Sequence, residues 1–87
     1  MLIKSQDGKK LVMFNDGMIT LYSWNNENGC DVIHDCYGTE NTLGTYSTEA
    51  SAKEVLDEIL EIFEIGYREW DRTYTMPQDK GADYGNQ

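Results

Sequence analysis

In the second half of the chain, apolar residues fall at Ala52, Val55, Leu56, Ile59, Leu60 and Phe63. This is the i, i+3, i+4, i+7, i+8, i+11 series of one helical face. Ile62 and Ile65 widen the stripe, and the spacing predicts a helix over Thr48–Gly66. Ser47 or Thr48 is placed to cap its N-terminus, Glu49 suits the positive end of the dipole, and Gly66 suits the residue after the last turn. Tyr67 and Trp70 keep the same spacing, so the pattern also allows the helix to run past Gly66. A lone amphipathic helix cannot bury its own stripe, so the remaining segments have to supply a flat apolar surface.

Those segments read as strands. Met1–Ser5 is short and apolar, an expected edge strand, and Gln6-Asp7-Gly8 is a turn. Leu11–Phe14 is a continuous apolar run, as in a buried strand. Asn15-Asp16-Gly17 between two apolar runs predicts a hairpin, because glycine accepts positive φ at little cost. Met18–Trp24 alternates, with Met18, Thr20, Tyr22 and Trp24 on one face and Ile19, Leu21 and Ser23 on the other. Asn25–Gly29 is a polar turn; a strand over Cys30–Tyr37, a turn over Gly38–Asn41 and a short strand over Leu43–Tyr46 follow. Arg72–Met76 alternates again, and Pro77 ends it. The predicted fold is α+β: an antiparallel β-meander of four to five strands with one long amphipathic helix packed on one face. Residues 1–77 form the single domain, and 78–87 are a polar tail that only a partner is expected to hold.

Composition narrows the function. A chain of 87 residues with two cysteines has a thin stability margin and no disulfide framework, and oligomerisation is a common remedy. The net charge of −9 disfavours binding nucleic acid by its backbone or lying on an anionic membrane. Small ligands, basic protein patches and self-association stay open. No apolar run reaches the length of a membrane span, and MLIKSQDGKK lacks the apolar core of a signal peptide, so the expected compartment is the cytoplasm. The predicted helix carries Glu49, Glu54, Asp57, Glu58, Glu61 and Glu64 against Lys53. Such a face keeps a helix solvated; its sharper reading is a surface that imitates phosphates.

Cys30, Val32, His34 and Cys36 share one face of the Cys30–Tyr37 strand. Residues i and i+6 of a strand lie about 20 Å apart, too far for one zinc ion or one disulfide to join both thiols. The reading is therefore structural thiols, a sheet histidine and no metal. One His, no Ser–His pair and no Gly-rich phosphate loop give no hydrolase or nucleotide-triphosphatase signature, so no enzyme activity or cofactor is expected. In the later segment, Arg68, Trp70, Arg72, Tyr74 and Met76 put two cations beside aromatic and thioether groups. Arginine forks grip phosphate and aromatic faces stack on bases; packing between helix and strand, with salt bridges to Glu69 and Asp71, is the simpler explanation of the same residues, because regularly spaced aromatics are usually core.

Three stretches, MLIKSQDGKKLV from Met1, LGTYSTEASAKEVLDEI from Leu43 and YTMPQD from Tyr74, resemble short proteins of phages and prophages of Gram-positive bacteria. Members of that group share an opening I-[KR]-S-Q-D, a G-x-Y-[ST]-T that leads into an A-x-x-V-L-[DE]-x-I helix, and a closing MPxD. The chain is also similar to the anti-Thoeris sponge proteins, which bind and hide a cyclic ADP-ribose-type signal without chemistry on it. That resemblance implies a phage counter-defence protein in the host bacterial cytoplasm, with a small nucleotide as ligand and Arg72, Met76 and Asp79 among its contacts. On physical grounds Arg68, Trp70 and Tyr74 join them: arginine for the diphosphate, an aromatic face for adenine, Asp79 for ribose hydroxyls. This chain is shorter and poorer in cations than those proteins, so a diphosphate site implies a homo-oligomer with the site at a subunit boundary. The alternative is an acidic, nucleic-acid-mimicking inhibitor, anti-CRISPR-like, of a basic host defence enzyme. A phage assembly protein with no ligand is the third possibility.

Overall fold

The computed structural model describes residues 1–14, 16–24, 29–66 and 73–79. Its elements are β1 (Leu2–Lys4), β2 (Leu11–Met13), β3 (Met18–Ser23), β4 (Cys30–Cys36), β5 (Thr39–Tyr46), α1 (Glu49–Gly66) and β6 (Thr73–Thr75). The protein is an α+β domain. β3, β4 and β5 form an antiparallel meander, and α1 packs across all three strands. A second small sheet has the order β2-β1-β6, with β2 antiparallel and β6 parallel to β1.

Helix α1 begins where the pattern places it. The Thr48 hydroxyl accepts the Ser51 N–H at 3.1 Å, which makes Thr48 rather than Ser47 the capping residue. Ala52, Val55 and Ile59 are buried against Ile3, Cys30, Val32, Leu43, Tyr46, Tyr74 and Met76, so residues from both sheets share one core. The face of β4 expected from alternation is also the buried one: Cys30, Val32 and His34 all point inward.

Four local expectations are corrected. β1 is central rather than an edge, because β6 returns after the helix to pair with its free side. β2 and β3 do not pair as a hairpin; Asp16-Gly17 instead carries the chain from one sheet to the other, and Gly17 (φ +85°) packs on β4. As an edge strand β2 buries one face only, so Val12 packs on the core while Leu11 and Met13 are 60% and 59% exposed. The turn between β4 and β5 is Tyr37-Gly38, with both residues at positive φ (53° and 86°), as a two-residue type I′ connection requires. β5 therefore starts at Thr39, earlier than the apolar pattern suggests.

Candidate functional site

The three stretches that carry the resemblance meet in space. Ser5 and Asp7 build a turn: the Ser5 hydroxyl donates to Asp7 at 2.6 Å and accepts the Lys10 N–H, and Asp7 accepts the Lys9 N–H. The Ser5 hydrogen bond and the Lys9 N–H hold the Asp7 carboxyl below its ordinary pKa. This turn aims Gln6 at β5. A register shift opposite Val32/Ile33 makes Leu43 the extra residue of a bulge, and its carbonyl accepts the Gln6 N–H at 2.7 Å. The Gln6 side chain then acts as a strand partner for Thr45, accepting its N–H at 2.9 Å and donating to its carbonyl at 3.0 Å. The same amide also donates to the Pro77 carbonyl at 3.3 Å. Tyr46 donates its hydroxyl to that carbonyl at 2.7 Å, and Gln78 donates to the Gln6 carbonyl at 2.9 Å. Asp79 accepts from the Ser47 N–H and hydroxyl at 3.1 and 3.2 Å. Ser5-Gln6-Asp7, Thr45-Tyr46-Ser47 and Pro77-Gln78-Asp79 thus form a clasp that fastens the first and last described segments to β5.

Of the residues read from the sequence as ligand contacts, Arg68, Trp70 and Arg72 lie outside the described residues. Tyr74 is buried on β6 and donates its hydroxyl to Glu58 at 2.8 Å; Met76 is 1% exposed; Asp79 holds Ser47. The polar groups of Tyr74 and Asp79 thus contact other residues of this chain. Burial, with Asp79 and Glu58 nearby, pushes the Tyr46 hydroxyl up to about 12. Burial and the Glu58 hydrogen bond push Tyr74 up further. A tyrosine raised in the folded state contributes its full stability below its unfolded value near 10 and loses it as pH rises through the folded value. Urea unfolding is therefore expected to show stability falling steadily from pH 10 to 12, and less steeply in Tyr46→Phe.

A cavity of about 70 Å³ beside the clasp is lined by Tyr46, Ser51, Val55, Glu58 and Pro77 among others. It has room for a few waters, each taking about 30 Å³. A larger groove of about 250 Å³ lies between α1 and the start of β3, lined by Phe14, Ile19, Leu56, Ile59, Leu60 and Phe63. Its lining is apolar, and Leu60 is 54% exposed although it belongs to the helix stripe. It falls below the roughly 300–1,000 Å³ of ordinary small-ligand pockets. Phe14 joins the groove to the core, tilted against Phe63 at 5.4 Å and edge-on to His34 at 5.7 Å between ring centroids. His34 Nε2 lies 2.9 Å from the Asp16 carbonyl and so donates its proton there; Nδ1 is buried with no partner among the described residues. Among the described residues, no three His, Cys, Asp or Glu side chains gather as a metal site would need, and no helix is long and apolar enough to cross a membrane. Leu11, Met13, Met18 and Tyr22 expose a second set of large apolar groups on β2 and β3.

Compared with family models, curated proteins and solved structures, the chain matches none. The sequence pattern did not single out Gln6 or Leu60. Gln6 was legible only as part of the S-Q-D motif, whereas Leu60 was hidden by belonging to a regular apolar stripe.

Proposed function

We propose that the chain is a non-catalytic protein-binding module that holds a basic partner surface against α1. One observation carries this reading: Glu49, Glu54, Asp57, Glu58, Glu61 and Glu64 are all exposed on α1, with Lys53 as the helix's one cation, beside the half-exposed Leu60. Charge supplies attraction and orientation, and the adjoining apolar groove supplies area. In this reading, the alternative to the nucleotide sponge that the resemblance implies, the partner is a basic nucleic-acid-binding defence enzyme of a bacterial host, and the acids stand where phosphates would. The exposed apolar side chains of Leu11 and Met13 on β2 and of Met18 and Tyr22 on β3 support a contact with a second copy.

Two variants separate this reading from nucleotide sequestration. Counter-defence activity is expected to disappear in the charge-reversed triple variant Glu54→Lys, Asp57→Lys, Glu61→Lys and to survive in Arg72→Ala. The reverse pattern would return the reading to a nucleotide sponge. A thermal-shift screen against cyclic nucleotides and cyclic ADP-ribose isomers is expected to be flat. A sponge saturated at about a hundred times its Kd would gain roughly 2.7 kcal/mol, a rise of several degrees or more in a domain of this size.

A further inference from the structure

The apolar groove has a charge distribution that selects its occupant. Leu56, Ile59, Leu60 and Phe63 form one wall, and Phe14 and Ile19 the other. At about 100° per residue, the next positions round the helix beyond Leu60 are Lys53, Glu64 and Asp57, then Glu61, and all are exposed. Lys53 lies at the N-terminal end of this rim and the acids toward its C-terminal end. Near the opposite wall, Asp16 lies between Phe14 and Ile19 in the chain and is exposed, outside the groove lining. Its carboxylate accepts the Tyr37 hydroxyl at 2.5 Å and the Gly17 N–H at 2.7 Å, which hold it in the charged form. The last turn of α1 contains no basic residue, so Glu61 and Glu64 add their charge to the negative pole of the helix. The helix-side rim is therefore acidic toward its C-terminal end, beside an apolar floor.

Resting on the protein-binding reading, we infer that this groove seats a cationic amphipathic helix of a partner protein, with one or two large apolar anchors in the groove and Lys or Arg against the acidic rim of α1. The volume fits that size: about 250 Å³, against roughly 150 Å³ for an apolar cavity that takes benzene. From Leu56 to Phe63 the wall runs about 10 Å, two helical turns, which matches anchors at i and i+4 or i+7. The charge complementarity decides between occupants. A second copy of this chain carries −9 of its own, and an acidic or neutral helix would leave Asp57, Glu61 and Glu64 beside the contact without countercharge.

The test uses a fluorescein-labelled synthetic peptide of roughly four helical turns with Leu at i, i+3, i+4 and i+7 and Lys elsewhere, and a scrambled peptide of the same composition. Fluorescence anisotropy at low salt is expected to show the amphipathic peptide binding about tenfold tighter or more, the effect of burying one large apolar side chain. Leu60→Ser is expected to erase that difference, Leu60→Ala to reduce it, and Glu64→Lys to weaken both peptides; circular dichroism checks that each variant folds. Equal binding of the two peptides, indifferent to Leu60, would overturn the groove while leaving an acidic protein-binding face. No binding of either peptide would overturn both readings. In sedimentation, a mass of twice 10.0 kDa that Leu60→Ser reverses would put a second copy in the groove instead.

Discussion

Gln6→Ala is expected to lower the free energy of unfolding by about 3 kcal/mol, roughly 1 kcal/mol for each side-chain hydrogen bond lost. The three bonds go to the Thr45 N–H, the Thr45 carbonyl and the Pro77 carbonyl, the last of which keeps the Tyr46 hydroxyl. For a domain with total stability on the order of 5–10 kcal/mol, that is a large fraction. Gln6→Glu is the informative companion. Its carboxylate still accepts the Thr45 N–H but faces two carbonyl oxygens where an N–H₂ had donated. Protonation restores one donor. The glutamate is therefore raised in the folded state, and the variant is expected to be least stable at neutral pH and to recover as pH falls. Urea unfolding with an unchanged slope checks both effects. A Gln6→Ala loss below about 1 kcal/mol would mean that the clasp does not hold the sheets together.

Gly17→Ala is expected to cost a similar amount for a different reason. Residue 17 has φ +85°, which adds about 1–2 kcal/mol for an L side chain. A Cβ there would lie 2.5 Å from the Asp35 carbonyl oxygen and 3.1 Å from His34 Nε2, so the connection has to lift off β4. Lifting it breaks the bond from His34 to the Asp16 carbonyl and leaves a buried imidazole N–H without an acceptor, a further 1–3 kcal/mol or so. Gly8→Ala is the control. It has φ +75° but meets only Lys4 Cε at 3.8 Å, so it should lose the strain alone. Equal melting points for the two variants would show that the close approach to β4 contributes nothing.

Much of the fold was legible in local patterns. The helix followed from Ala52, Val55 and Ile59, all buried, and the inward face of β4 followed from alternation. What the patterns hid was pairing at long range. Asp16-Gly17 signals a residue that accepts positive φ, but it does not say which strands the turn joins; here it passes between sheets. Tyr37 is a poor turn residue by type, and its positive φ is fixed by the pairing of Cys36 with Thr39 around it. Gln6 is polar and near a turn, so nothing local shows that it pairs with residues 39 and 71 positions away.

The same distinction bears on the site. Within the motifs that suggested a nucleotide ligand, Gln6, Tyr46, Ser47 and Asp79 are tied into the clasp, so folding alone gives these four residue types a role. Tyr74 and Met76 alternate because they are the inward residues of β6 and the segment after it. The groove is not legible in the sequence because Leu60 fits the helical stripe, yet among the described residues it stays 54% exposed.

The most direct measurement is amide chemical-shift mapping of isotope-labelled protein titrated with the cationic amphipathic peptide. Saturable shifts are expected at Phe14, Ile19, Leu56, Leu60, Phe63 and Glu64, screened by added salt, with Gln6, Thr45 and Ser47 unmoved. Shifts centred on the clasp or on the outer faces of β2 and β3, with the groove silent, would contradict a peptide seated in the groove.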